Sequence, residues 1–81
     1  MKYNKNKKRL YMYYMVRDDG KPFRIFESIV DKYRFVIGCF ECGEPKVYSK
    51  HYSIRRLKYV YNETVKEHPH AKIYRCLIEG D

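Results

Sequence analysis

The sharpest chemical spacing in the chain is Cys39-Phe-Glu-Cys42-Gly43. Two cysteines two residues apart, followed by glycine, have the form of half a zinc-ribbon knuckle. The glycine would let backbone N–H groups turn toward the thiolates. A structural zinc needs four ligands at tetrahedral angles. The remaining donors are Cys76, His51, His68 and His70, and no second close pair of cysteines exists. A zinc site would have to be assembled from scattered residues, with Cys39, Cys42, His51 and Cys76 the candidate set. The spacing therefore predicts no metal and no other cofactor. Cys39 and Cys76 read instead as small apolar residues on inward strand faces, because free cysteine is among the most buried residue types. A redox role is disfavoured because this Cys-x-x-Cys falls at a hairpin turn rather than at the start of a helix after a strand.

A second constellation is Lys50-His-Tyr-Ser-Ile-Arg-Arg-Leu-Lys-Tyr59. Ser53 is a good N-cap residue, so Arg55, Arg56 and Lys58 are expected in the first turns of a helix. Cations there oppose the helix dipole, at about 0.3–1 kcal/mol each. Arginines beside a helix start suit phosphate or carboxylate ligands, and Tyr52 and Tyr59 could stack on bases beside them. The bland alternative is a solvated helix face with snorkelling side chains.

Ten tyrosines and no tryptophan are a third feature. Tyr11 and Tyr13 on one strand could form a stacking platform like those of sheet-based RNA readers. The RNP1 pattern that such readers carry is missing from Lys46-Val-Tyr-Ser-Lys-His51. Packing and interface roles explain tyrosine equally well. No Gly-rich phosphate loop, GxSxG elbow or HExxH helix occurs, and Asp18, Asp19, Glu41 and Glu44 read as solvated turn residues. We therefore expect a binding protein and not an enzyme.

Charge points the same way. The chain has 18 Lys and Arg against 10 Asp and Glu, a formal charge of +8. Lys2, Lys5, Lys7, Lys8 and Arg9 supply five of those cations, and no acid occurs before Asp18. Residues 1–9 thus read as a flexible basic arm and residues 10–81 as one domain. Such an arm is either a solubilising tail or a hand for phosphates. The expected binding set is Lys5, Lys7, Lys8 and Arg9 on the arm with Lys50, Tyr52, Arg55, Arg56, Lys58 and Tyr59. The partner would be nucleic acid or a nucleoprotein. The alternative is a host protein, bound through a tyrosine-rich surface or an exposed strand edge.

The elements that must position these residues follow from pattern. Leu10 to Val16 reads as a strand apolar on both faces, which suggests a central place. Asp18-Asp19-Gly20 marks a hairpin, making Pro22 to Ile29 a second strand. Phe23, Phe26, Val30 and Tyr33 also fit helical spacing, so residues 22–32 admit a helix. Tyr33 to Glu41 alternates, Gly43 to Pro45 turns, and Lys46 to His51 returns. Ile54, Leu57, Tyr61 and Val65 form an amphipathic stripe that stops at His68-Pro69. Ala71 to Ile78 is the last strand. The expected fold is α+β in the order β-β-β-β-α-β, one antiparallel sheet with a helix on one face. The alternative is the ferredoxin-like order β-α-β-β-α-β.

An 81-residue chain, 44% apolar, supports one modest core. The run Leu10 to Val16 is too short to span a bilayer, and no small-residue cleavage site follows it. An odd cysteine count argues against a disulfide framework. A cytoplasmic location is therefore expected, and Asn62-Glu63-Thr64 is not expected to be glycosylated. The Lys, Asn, Tyr and Ile usage matches an AT-rich genome, compatible with an accessory protein of a phage or other mobile element.

Overall fold

The computed structural model describes residues 9–80. The expected arm, apart from Arg9, lies outside the described residues. The elements are β1 (Tyr11–Val16), β2 (Pro22–Ser28), β3 (Phe35–Glu41), β4 (Glu44–His51), α1 (Leu57–Glu67), β5 (Lys72–Arg75) and β6 (Leu77–Gly80). They form two three-stranded antiparallel sheets and one helix, a small, mostly strand domain. The first sheet has the order β2-β1-β6 and the second β4-β3-β5.

A single sheet was expected, so the split into two is a correction. It has one covalent origin. The strand expected over Ala71 to Ile78 breaks at Cys76, with β5 pairing to β3 and β6 pairing to β1. Cys76 is buried between the sheets, and its N–H donates to the carbonyl of Arg34 at 2.9 Å. One residue thus carries the chain from one sheet to the other.

The burial pattern shows the layering. Tyr13, Met15, Val36 and Cys76 form one buried cluster, joined by Ile25, Phe26, Phe40, Val47, Tyr74 and Ile78 from both sheets. Ile37, Leu57 and Ala71 form a second cluster, joined by Phe35, Tyr48, Val60, Tyr61 and Val65. Neighbouring residues Val36 and Ile37, both fully buried, therefore face opposite layers. β3 is the strand covered on both sides, sandwiched between the first sheet and the helix. Each such side chain contributes about 1.5–3 kcal/mol by burial. β1 is central in its own sheet as expected, but only its Tyr11, Tyr13 and Met15 side joins a core cluster. Met12, Tyr14 and Val16 are half-buried and belong to neither cluster.

Residues 22–28 are strand, so the helical alternative for this segment, and with it the ferredoxin-like order, is not what the chain adopts. The helix-like spacing of Phe23 and Phe26 has a specific cause. Tyr13 pairs with Phe26 and Tyr14 with Arg24, leaving Ile25 as the extra residue of a β-bulge. The bulge inverts the alternation, so Phe23 and Phe26 both reach core partners, Phe40 at 5.5 Å and Tyr13 at 4.4 Å between ring centroids. Ile29, expected inside, is 54% exposed.

Candidate functional site

Both turns that hold the hairpins use left-handed backbone. Gly20 has φ +88° after Asp19, whose carboxylate accepts from the Lys21 N–H at 3.1 Å and from the Arg17 guanidinium. That ion pair holds the Asp19 carboxyl down to about 2. In the β3–β4 hairpin Glu41 pairs with Glu44, so the two-residue loop is Cys42-Gly43. Their φ values are +54° and +83°, the type I′ pattern that suits the strand twist. The glycine of the cysteine motif thus serves the turn.

The cysteines do not converge. Cys39 is buried and its Sγ lies 3.4 Å from the Tyr48 hydroxyl, beside the helix-facing cluster. This contact and partial desolvation push the Tyr48 phenol up to about 12. Cys76 lies in the cluster between the sheets, where burial pushes its thiol up to about 11. Cys42 is exposed at the turn. His51 is half-buried at the far end of β4, with Nε2 2.8 Å from the Ser49 hydroxyl. Among the described residues, no three His, Cys, Asp or Glu side chains are grouped so as to hold a metal.

The basic segment begins differently from the expectation. Ser53 does not cap the helix. β4 runs on to His51, a turn closes from the Leu57 N–H to the Ile54 carbonyl at 3.2 Å, and Arg56 is the residue at the cap, without a side-chain capping bond. Ile54 therefore precedes the helix and is 63% exposed, although the stripe placed it inside. Leu57, Val60, Tyr61 and Val65 pack as an amphipathic helix should.

This late start brings Lys50, Tyr52 and Arg56 together. With His51, Ser53 and Val60 they line an open hollow of about 310 Å³. Burial, and secondarily the nearby Arg56 charge, push His51 below the usual histidine range. Arg55, Lys58 and Tyr59 are exposed on the same segment but do not line the hollow. Arg9 is exposed near Gly80, and Lys5, Lys7 and Lys8 lie outside the described residues.

Tyr52 is fixed by neighbours that the sequence did not reveal. Its ring stacks on Tyr33 with centroids 4.7 Å apart and planes 13° from parallel. Tyr33 meets the edges or faces of Tyr13 and Phe26 at 5.9 Å each. Tyr13 and Phe26 stack in turn at 4.4 Å, and the fully buried Tyr13 donates its hydroxyl to the Val30 carbonyl. A chain of rings thus runs from the core to an outermost ring that is 55% exposed. Lys50 leans over the two rings beneath it, its Nζ 4.5 Å from the Phe26 centroid and 5.6 Å from that of Tyr33. The platform imagined on Tyr11 and Tyr13 is not available, because Tyr13 is wholly buried. Tyr33 pairs with Tyr52 across 19 positions, and no local signal announces such a contact.

The electrostatics of the segment are one-sided. Four cations of the described chain have carboxylate partners: Arg17 with Asp19, Arg24 with Glu27, Lys46 with Glu41 and Lys66 with Glu63. Lys50, Arg55, Arg56 and Lys58 have none among the described residues, and no acid occurs in the sequence between Glu44 and Glu63. The first turn of the helix is likewise free of acids. No protein-family model matches the chain, and no curated protein or solved structure matches it either.

Proposed function

We propose that the protein is a non-catalytic binding module for nucleic acid or a nucleoprotein, docking through the basic segment that ends β4 and begins the helix. One observation carries this reading. Lys50, Arg55, Arg56 and Lys58 fall within one stretch that has no acid between Glu44 and Glu63, and among the described residues none of the four has a carboxylate partner. Unpaired, exposed cations on one segment concentrate positive potential where it can meet phosphates. Exposed Tyr52 and Tyr59 add flat apolar area beside them. The arm cations Lys5, Lys7, Lys8 and Arg9 would add phosphate contacts. A cytoplasmic setting suits three cysteines that form no disulfide.

The test is fluorescence anisotropy with labelled DNA and RNA at about 0.15 M salt, where non-specific attraction to a +8 protein is largely screened. Affinity should fall with salt at a slope of about −0.7 to −0.9 per phosphate contact. Arg55→Ala combined with Arg56→Ala should lower both affinity and slope without altering the fold, since both side chains are exposed. Binding no tighter than about 10⁻⁴–10⁻⁶ M for every form of nucleic acid would end the proposal.

A second reading has its own observation. The outer face of the first sheet carries Met12, Tyr14, Val16 and Leu77 outside both core clusters. Leu77 is 51% exposed, and an open hollow of about 540 Å³ lies against Tyr14, Pro22, Leu77, Ile78 and Glu79. Such a face suits a protein partner, as in a modulator or inhibitor of a host machine carried by a phage or other mobile element.

A further inference from the structure

We infer that the site takes single-stranded nucleic acid, with one base stacked on Tyr52 and a neighbouring phosphate held between Lys50 and Arg56. The inference rests on the nucleic-acid reading above and narrows it to one form.

A duplex buries the faces of its bases within its own stack. A protein that meets a duplex through phosphates gains little from an exposed aromatic ring. A single strand offers base faces, and each base stacked on an aromatic side chain adds to binding with little regard to sequence. Tyr52 is built for that use. One face of its ring is occupied by Tyr33 at 4.7 Å, and the ring is still 55% exposed. The Tyr52 hydroxyl also lies 3.4 Å from that of Tyr33. Through Tyr33 the ring rests on Phe26 and the buried Tyr13, so it is held in place before a ligand arrives. A preformed ring forfeits little side-chain freedom on binding.

The surroundings of Tyr52 are polarised. The ring lines two adjoining hollows. One, about 310 Å³, is bounded by Lys50, His51, Ser53, Arg56 and Val60. The other, about 600 Å³ and shallower, is bounded by Ile29, Val30, Asp31 and Lys32. The first offers two cations without carboxylate partners and a serine hydroxyl, a set that suits a phosphate. The second offers the 54% exposed Ile29 and sets the Asp31 carboxylate beside a single cation, Lys32, so its charges offset while those of the first hollow add. A carboxylate repels phosphate but accepts hydrogen bonds from the exocyclic amines of adenine and cytosine. The phosphate is thereby directed to the Lys50 and Arg56 side and the base to the Ile29 side.

The experiment compares three probes near physiological ionic strength: a mixed-sequence single-stranded oligonucleotide, its duplex, and inorganic polyphosphate. Wild type is measured against Tyr52→Ala and Tyr52→Phe, with melting curves confirming that each variant folds. The single strand should bind at least about tenfold tighter than the duplex. Tyr52→Ala should weaken single-strand binding roughly five- to hundredfold, Tyr52→Phe should retain it, and polyphosphate binding should be the same in all three proteins. If duplex and single strand bind alike, or Tyr52→Ala changes nothing, the inference is overturned while the cationic surface still stands. If none of the probes binds, the functional reading itself falls with it.

Discussion

A Cβ atom built on Gly38 would lie 2.1 Å from the carbonyl oxygen of Lys46. Gly38 sits in β3 beside the point where the β3–β4 register shifts, because Ile37 pairs with Ser49 and Gly38 with Val47, leaving Tyr48 as the extra residue. The bulge draws the β4 backbone against β3, and only glycine leaves room for it. The bulge also sets the direction of β4 as it leaves the hairpin. Val47 joins the core between the sheets and Tyr48 the core under the helix. The chain then arrives at Lys50, His51 and Tyr52.

Gly38→Ala should therefore be among the most damaging single-methyl changes in the chain. Overpacking against backbone cannot be relieved by a rotamer change, and a loss of roughly 3 kcal/mol or more is expected. Gly20→Ala provides the contrast. Nothing lies within 4 Å of a Cβ there, so its cost comes from φ +88° alone, about 1–2 kcal/mol. Urea melts of the two variants check the order. Equal losses would show that the β3–β4 approach is not what Gly38 secures.

Cys42 holds a left-handed φ of +54° at the first position of its turn, which asparagine tolerates better than cysteine. Cys42→Asn should raise stability by about 1 kcal/mol, or about 4–8 °C in melting temperature for a domain of this size. A melting temperature that falls would mean that the Cys42 side chain has a favourable role beyond the turn.

The three thiols should differ sharply in reactivity. Only Cys42 is exposed, whereas Cys39 and Cys76 are buried, and burial pushes the Cys76 thiol up to about 11. Under native conditions at neutral pH a thiol reagent should modify one cysteine per chain quickly, and all three after denaturation. Fast native modification of Cys76 would contradict its place at the crossing between the sheets.

Histidine titration gives a signed prediction. The folded-state pKa of His51 is depressed, first by burial and second by Arg56. The unfolded chain then binds its proton more readily than the folded one, so this residue lowers stability as pH falls through the unfolded value of about 6.5. At higher pH it is neutral in both states and contributes nothing of this kind. His51→Gln should remove that component of the acid-side loss, measured by denaturant melts at pH 8 and pH 5.5. An unchanged pH dependence would show that His51 is not held in its neutral form.

Much of the local structure was legible in residue chemistry. Asp19-Gly20 signalled the first hairpin, and Leu57, Tyr61 and Val65 marked the buried side of the helix. What stayed hidden depends on distant partners. Ala71 to Ile78 alternates as one strand would, and nothing in that alternation says that Lys72–Arg75 joins β3 while Leu77–Gly80 joins β1. The bulge at Ile25 imitated helical spacing because it places Phe23 and Phe26 on one side. The cations of the site were visible as a run. Its aromatic floor was not, since Tyr33 read as the start of a strand and instead precedes β3 and supports Tyr52.

The most direct measurement is a backbone amide NMR titration of the intact protein with a single-stranded oligonucleotide at about 0.15 M salt. The largest shift changes should fall on residues 50–59, with Ile29 to Tyr33 following, while Met12, Tyr14 and Leu77 stay in place. Changes centred on that outer face of the first sheet, or no saturable change anywhere, would contradict the proposed site.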